Sequence, residues 1–67
     1  MFERIKELRV ERKVRQKEIA AYLHIAQGTY SDYENGKIGI PLETAVSIAD
    51  FYDVSLDYML GRKDTRD

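Results

Sequence analysis

The chain contains no cysteine, and at 67 residues that absence decides much of what it can become. No disulfide and no thiolate metal site can brace it. A domain of this size buries only about 60% of the surface its unfolded chain exposes. Stability must therefore come from closely packed elements around one small core, with a partner subunit as a further source. The length fits one domain. Apolar residues recur at three- and four-residue steps, and no alternating β-branched run reaches five residues. The predicted fold class is all-α, with residues 1–61 as one domain and residues 62–67 as a polar C-terminal tail.

Five helices follow from the pattern. The first covers residues 2–12 and gathers Phe2, Ile5, Leu8 and Arg12 on one face. The second covers residues 16–23, with Ile19, Ala20 and Leu23 as its buried stripe. His24, Ile25 and Ala26 leave room only for a tight turn, and Ile25 is placed to plug its corner. The third covers residues 27–35, and Asn35-Gly36 stops it, since glycine takes the left-handed conformation without steric cost. Pro41 suits the first turn of a fourth helix over residues 42–52, where Leu42, Ala45, Val46, Ile48, Ala49 and Tyr52 are available for burial. Ser55 is the N-cap of a fifth, with Val54 and Met59 spaced as a hydrophobic staple, and that helix ends before Gly61.

The net charge of −1 hides a polarised distribution. Residues 1–17 carry seven bases against three acids, whereas residues 43–57 carry Glu43, Asp50, Asp53 and Asp57 with no base. Such a molecule attracts phosphate at one end and holds acid away from it. No apolar run approaches the roughly 18 residues of a membrane span, and charges at Glu3, Arg4 and Lys6 leave no signal-peptide core.

Two short helices joined by a three-residue turn, within a five-helix chain, describe a helix-turn-helix. In that arrangement the second helix lies in the major groove of DNA, the groove in which every base pair is distinguishable. Its outward side chains must be short and polar. Gln27, Gly28, Ser31 and Asp32 point outward together, while Tyr30 and Tyr33 point inward. Tyr22, beside the turn, is either a surface residue of no function or a hydroxyl within reach of a phosphate.

The stretch from Gln16 to Lys37 resembles the helix-turn-helix of the phage Cro and phage repressor family, the xenobiotic-response-element type. Glu34-Asn35-Gly36 after the third helix and Gln16 at the start of the second carry the resemblance most specifically, with Leu8-Arg9 and Ala20 beside them. The likeness extends over residues 2–61 and implies a lambda-repressor-like five-helix domain. It implies base-facing positions at Gln27, Gly28, Ser31 and Asp32. It places Gln16, Lys17, Thr29, Asn35 and Lys37 at the phosphates, with Gln16 also bracing Gln27. It pairs Arg9 with Glu34 as a structural tie between the first and third helices. It further implies a bacterial or phage-encoded protein of the cytoplasm, associated with the nucleoid.

Five positions depart from the family pattern. Arg15 and Ala26 stand where hydroxyl N-caps are usual, and a missing cap costs about 1 kcal/mol. His24 stands where glycine is common, so a left-handed conformation there is mildly strained. Gly28 offers no side chain at a base-reading position. Asp32 is acidic where the field of DNA is negative, although a carboxylate can accept from cytosine N4.

No nucleophile–base–orienter set, no phosphate-binding glycine loop and no zinc spacing occurs, so the expectation is a non-enzyme without metal or cofactor. The first reading is a transcriptional regulator, a repressor by default, that binds double-stranded DNA as a homodimer. Tyr52, Leu56, Met59 and Leu60 are the predicted dimer patch, because so short a chain has too little interior for all of them. Two other readings stay open: a protein-interaction or antitoxin-like module, and the DNA-binding piece of a longer sensor protein.

Overall fold

A computed structural model describes residues 3–61, and Phe2 and the tail 62–67 lie outside the described residues. Five helices follow one another: α1 (Glu3–Glu11), α2 (Gln16–Tyr22), α3 (Gln27–Glu34), α4 (Leu42–Tyr52) and α5 (Leu56–Met59). Among the described residues there is no strand, and no helix is long and apolar enough to cross a membrane. The all-α, five-helix expectation holds, with helix ends within a residue or two of those the pattern predicts.

The core draws on every helix. Ile5 and Leu8 of α1 meet Ile19 and Ala20 of α2, Tyr30 and Tyr33 of α3, and Ala45, Ile48, Ala49 and Tyr52 of α4, with Met59 closing it from α5. Each fully buried Ile or Leu contributes about 1.5–3 kcal/mol of transfer free energy. Ala20 and Ala49 are small enough to let neighbouring helices approach closely. The hydroxyls of Tyr30 and Tyr52 are enclosed in this core without a hydrogen-bond partner among the described residues.

Two expectations about burial are corrected. Tyr52 and Met59 were expected at a dimer patch, yet they are 1% and 0% exposed within the single chain. They fill the space between α1, α4 and α5 and have no surface left for a partner. Leu56 and Leu60 remain half-buried. Conversely, Leu42 and Val46, which the pattern offers for burial, are exposed: Leu42 is the first residue of α4, at the helix end, and Val46 lies on the flank of the inward Ala45–Ile48–Ala49–Tyr52 face.

The helices end by one device. Val14 N–H donates to Arg9 O at 3.0 Å and Lys13 N–H to Val10 O at 3.1 Å, the paired bonds of a Schellman motif. The same pair recurs after α2 at His24 and Ile25, after α3 at Gly36 and Lys37, and after α4 at Asp53 and Val54. The motif needs a left-handed residue, and only Gly36 (φ 73°) supplies it without strain; Lys13, His24 and Asp53 hold φ of 58°, 59° and 56°. In three of the four, the next residue is branched and apolar: Val14, Ile25 and Val54 each pack onto the core. The chain tolerates the strained residue because the one after it is driven inward.

N-terminal caps are sparse. Ser55 Oγ accepts from Tyr58 N at 3.1 Å and starts α5, a single turn that Arg4 also holds by donating Nη1 to Tyr58 O at 3.1 Å. The Arg4 guanidinium lies 4.4 Å from the Tyr58 ring centroid, a cation–π contact. At α2, Arg15 gives no side-chain cap bond, but Glu18 Oε1 accepts from Arg15 N at 3.1 Å and keeps half of a capping box. Ala26, before α3, gives none.

Candidate nucleic-acid interface

The site is built outward from one carboxylate. Glu34, the last residue of α3, has a side chain only 2% exposed. Arg9 of α1 reaches it twice, with Nε 2.6 Å from Oε2 and Nη2 3.2 Å from Oε1. This fork suits the planar guanidinium and fixes orientation as well as distance. Arg9 Nη1 also donates to Val14 O at 3.1 Å. Gln16, opening α2, donates Nε2 to Glu34 Oε1 at 3.2 Å. One carboxylate thus ties α1, α2 and α3 together and sets the angle at which α3 leaves the body.

The electrostatics match the geometry. Burial opposes the Glu34 charge, yet the hydrogen bonds from Arg9 and Gln16 outweigh it and hold the carboxyl below its ordinary value. The bond to Glu34 raises the Arg9 pKa in turn. Burial first, and then the neighbouring Glu34, push the Tyr30 hydroxyl up. Burial pushes the Tyr52 hydroxyl up to about 12. Both phenols therefore stay neutral at ordinary pH, beside a pair that stays charged.

On the other side of α3, Gln27 and Gly28 are exposed, and Ser31 and Asp32 are half-buried. Helical spacing puts Gly28, Ser31 and Asp32 on one face, with Gln27 at its leading edge. The face is barely engaged by the protein itself: Asn35 Nδ2 donates to Ser31 Oγ at 3.4 Å, a long bond. Lys17, Asn35 and Lys37 are exposed and Thr29 is half-buried. Lys37 N donates to Asp32 O at 2.9 Å, which anchors the backbone that carries its side chain.

Gln16, expected to brace Gln27, spends one amide N–H on Glu34 and makes no bond to Gln27 among the described residues; its second N–H and its carbonyl oxygen are left for other partners. The sequence reading also missed Val14 O as an acceptor for Arg9, a contact 5 residues apart with no residue-type signal. Tyr22 is 47% exposed, and its ring leans on Phe51 of α4 with centroids 4.8 Å apart.

Comparison with known proteins places this geometry in context. Residues 5–59 match the family model described as Helix-turn-helix. The chain is similar to the uncharacterized HTH-type transcriptional regulator YobD of Bacillus subtilis, at 37% identity over 97% of this chain and 58% of the relative. It is similar to the cryptic phage CTXphi transcriptional repressor RstR of Vibrio cholerae, at 36% identity over 92% of this chain and 56% of the relative. It is also similar to the HTH-type transcriptional regulator AnsR of Bacillus subtilis, at 36% identity over 91% of this chain and 53% of the relative. The chain thus spans about half the length of the curated relatives it matches. No solved structure matches it. With the two helices, the tight turn between them and the family match in agreement, the chain belongs to the helix-turn-helix family.

Proposed function

We propose that the chain binds double-stranded DNA with sequence specificity and acts as a transcriptional regulator, by default a repressor, with α3 in the major groove. The observation that carries this reading is the division of α3: a clamped inner side, and an outer side whose polar side chains have almost no partner among the described residues. Gln27, Gly28, Ser31 and Asp32 meet base edges in this reading. Gln16, Lys17, Thr29, Asn35 and Lys37 meet phosphates, which position the domain and carry no sequence information. Relatives named as transcriptional regulators and as a phage repressor support the reading.

The same reading makes the working unit a homodimer on a two-fold operator, with half-sites about one helical turn (roughly 34 Å) apart. Of the expected patch, half-buried Leu56 and Leu60 keep apolar surface open to such a contact. Cytoplasmic action on the nucleoid follows from this role. No catalytic step, metal or cofactor enters it.

The test is a binding selection from random duplexes, followed by titration of the enriched pool against salt. The expected result is a two-fold site bound at least about 10³-fold tighter than random DNA, with affinity falling steeply as salt rises. Enrichment of nothing at any salt would overturn the reading and favour a protein-interaction module.

A further inference from the structure

Gly28 is the least explained residue of α3. Gly36 and Gly61 end helices at φ of 73° and 78°, where any other residue is strained. Gly28 has no such excuse: it lies in the first turn of a regular helix, and its φ is not positive. Packing does not demand it either, because a Cβ built on Gly28 meets nothing within 4 Å. Helix propensity argues against it, since glycine is the poorest helix former after proline. A residue that neither the fold nor the backbone requires, and that the helix disfavours, points to something outside the chain. Its position is informative: it shares the outer face with Ser31 and Asp32 and is itself exposed.

We propose that Gly28 is the point of closest approach between α3 and a base pair, and that a thymine C5-methyl group occupies the space a Cβ would take. The inference rests on the DNA-binding reading above and adds what that position recognises. The chemistry is a methyl-for-methyl exchange. The thymine methyl is the apolar group of the major-groove edge, and apolar protein surface is what reads it. Without a Cβ the backbone sits deeper in the groove and its Cα–H surface covers the methyl. Gln27 and Ser31 then reach their base edges from a lower seat. An added Cβ lifts the helix or collides with the methyl.

The experiment uses Gly28→Ala, the wild-type chain and the site the wild type selects. Each thymine of the half-site is replaced in turn by deoxyuridine, which removes only the methyl. The variant is expected to melt roughly 2–8 °C higher, as glycine-to-alanine in a helix does. At the same time it should bind the selected site about tenfold or more weakly. Wild type should lose about fourfold at one thymine when its methyl is removed, the factor for one buried methyl. Gly28→Ala should recover affinity on that same deoxyuridine probe. Opposite signs on stability and binding, with rescue at one position, establish the proposal. A variant that binds the thymine site as tightly as wild type would overturn it, and so would a uniform loss with no deoxyuridine rescue. If the wild type selects no site at all, the DNA-binding reading itself falls; if it selects one and Gly28→Ala binds it unchanged, only this inference does.

Discussion

The inner side of α3 is held by the rest of the chain, and its outer side is turned to solvent. On the inner side Tyr30 is 0% exposed, Tyr33 is 9% exposed and the Glu34 carboxylate takes bonds from two other helices. On the outer side Gln27 and Gly28 face solvent, and the internal bond of that face is a long one between Asn35 and Ser31. Eight residues therefore carry two kinds of information. The inner set is satisfied by the chain and specifies where the helix lies. The outer set leaves hydrogen-bonding capacity unspent in the fold, which is what a surface meant to meet base edges requires. Substitutions on the inner side should change stability first and binding only through it. Substitutions on the outer side should change binding without loss of stability, and Gly28→Ala should even gain stability through helix propensity while it weakens binding.

The largest effect should come from Glu34→Ala. It strands Arg9, whose side chain is 15% exposed, and releases Gln16, so three helices lose a shared anchor. Breaking an enclosed pair by removing one partner costs about 3 kcal/mol, a large part of the stability of a 67-residue chain. Urea denaturation checks it. Retention of the wild-type midpoint would break the comparison, because the inner side would then not be what holds α3.

A smaller effect of the same group appears with pH. The Glu34 carboxyl is held below its ordinary value of 4.5 in the folded chain. Its contribution is therefore fully present above the unfolded value and is lost as pH falls through the folded one. Melting temperature should drop on acidification below about 4.5, and the part due to this group should be missing in Glu34→Gln. An identical acid limb in both proteins would assign acid sensitivity elsewhere.

The smallest effect should be a gain. Lys13, His24 and Asp53 hold left-handed conformations, so Lys13→Gly, His24→Gly and Asp53→Gly should each stabilise by about 1 kcal/mol. None lies on the outer face of α3, so DNA affinity should not follow in His24→Gly and Asp53→Gly; Lys13→Gly also removes one of the seven bases of residues 1–17 and should weaken binding modestly on every sequence. Loss of stability at all three would show that the side chains contribute more than the backbone strain removes.

Much of the fold was legible because the apolar period and the turn chemistry agree. The short gap of His24-Ile25-Ala26 and the Asn35-Gly36 stop located α3 to within one residue. Ser55 and the Val54–Met59 spacing located α5, although it proved to be a single turn. The strained ends at Lys13 and Asp53 were not legible, since neither residue type announces a left-handed position; the branched residue that follows each is the only hint. The dimer patch was misread because counting apolar residues does not say how they share the interior, and Tyr52 and Met59 take the centre of it. The Arg9–Glu34 tie spans 25 residues and the Gln16–Glu34 bond 18, separations that no periodicity encodes. Family resemblance supplied the first and not the second. The outer face was identified by residue type and spacing, and its four positions share one side of α3 as that spacing requires.

The central claim is that the outer side of α3 reads base pairs. The most direct test compares Gln27→Ala with wild type on the selected site and on a panel with each base pair of the half-site changed. The account predicts a loss of about 1–3 kcal/mol on the selected site, a relaxed preference at one base-pair position and an unchanged melting temperature. An equal loss on every probe, or no loss on any, would contradict it.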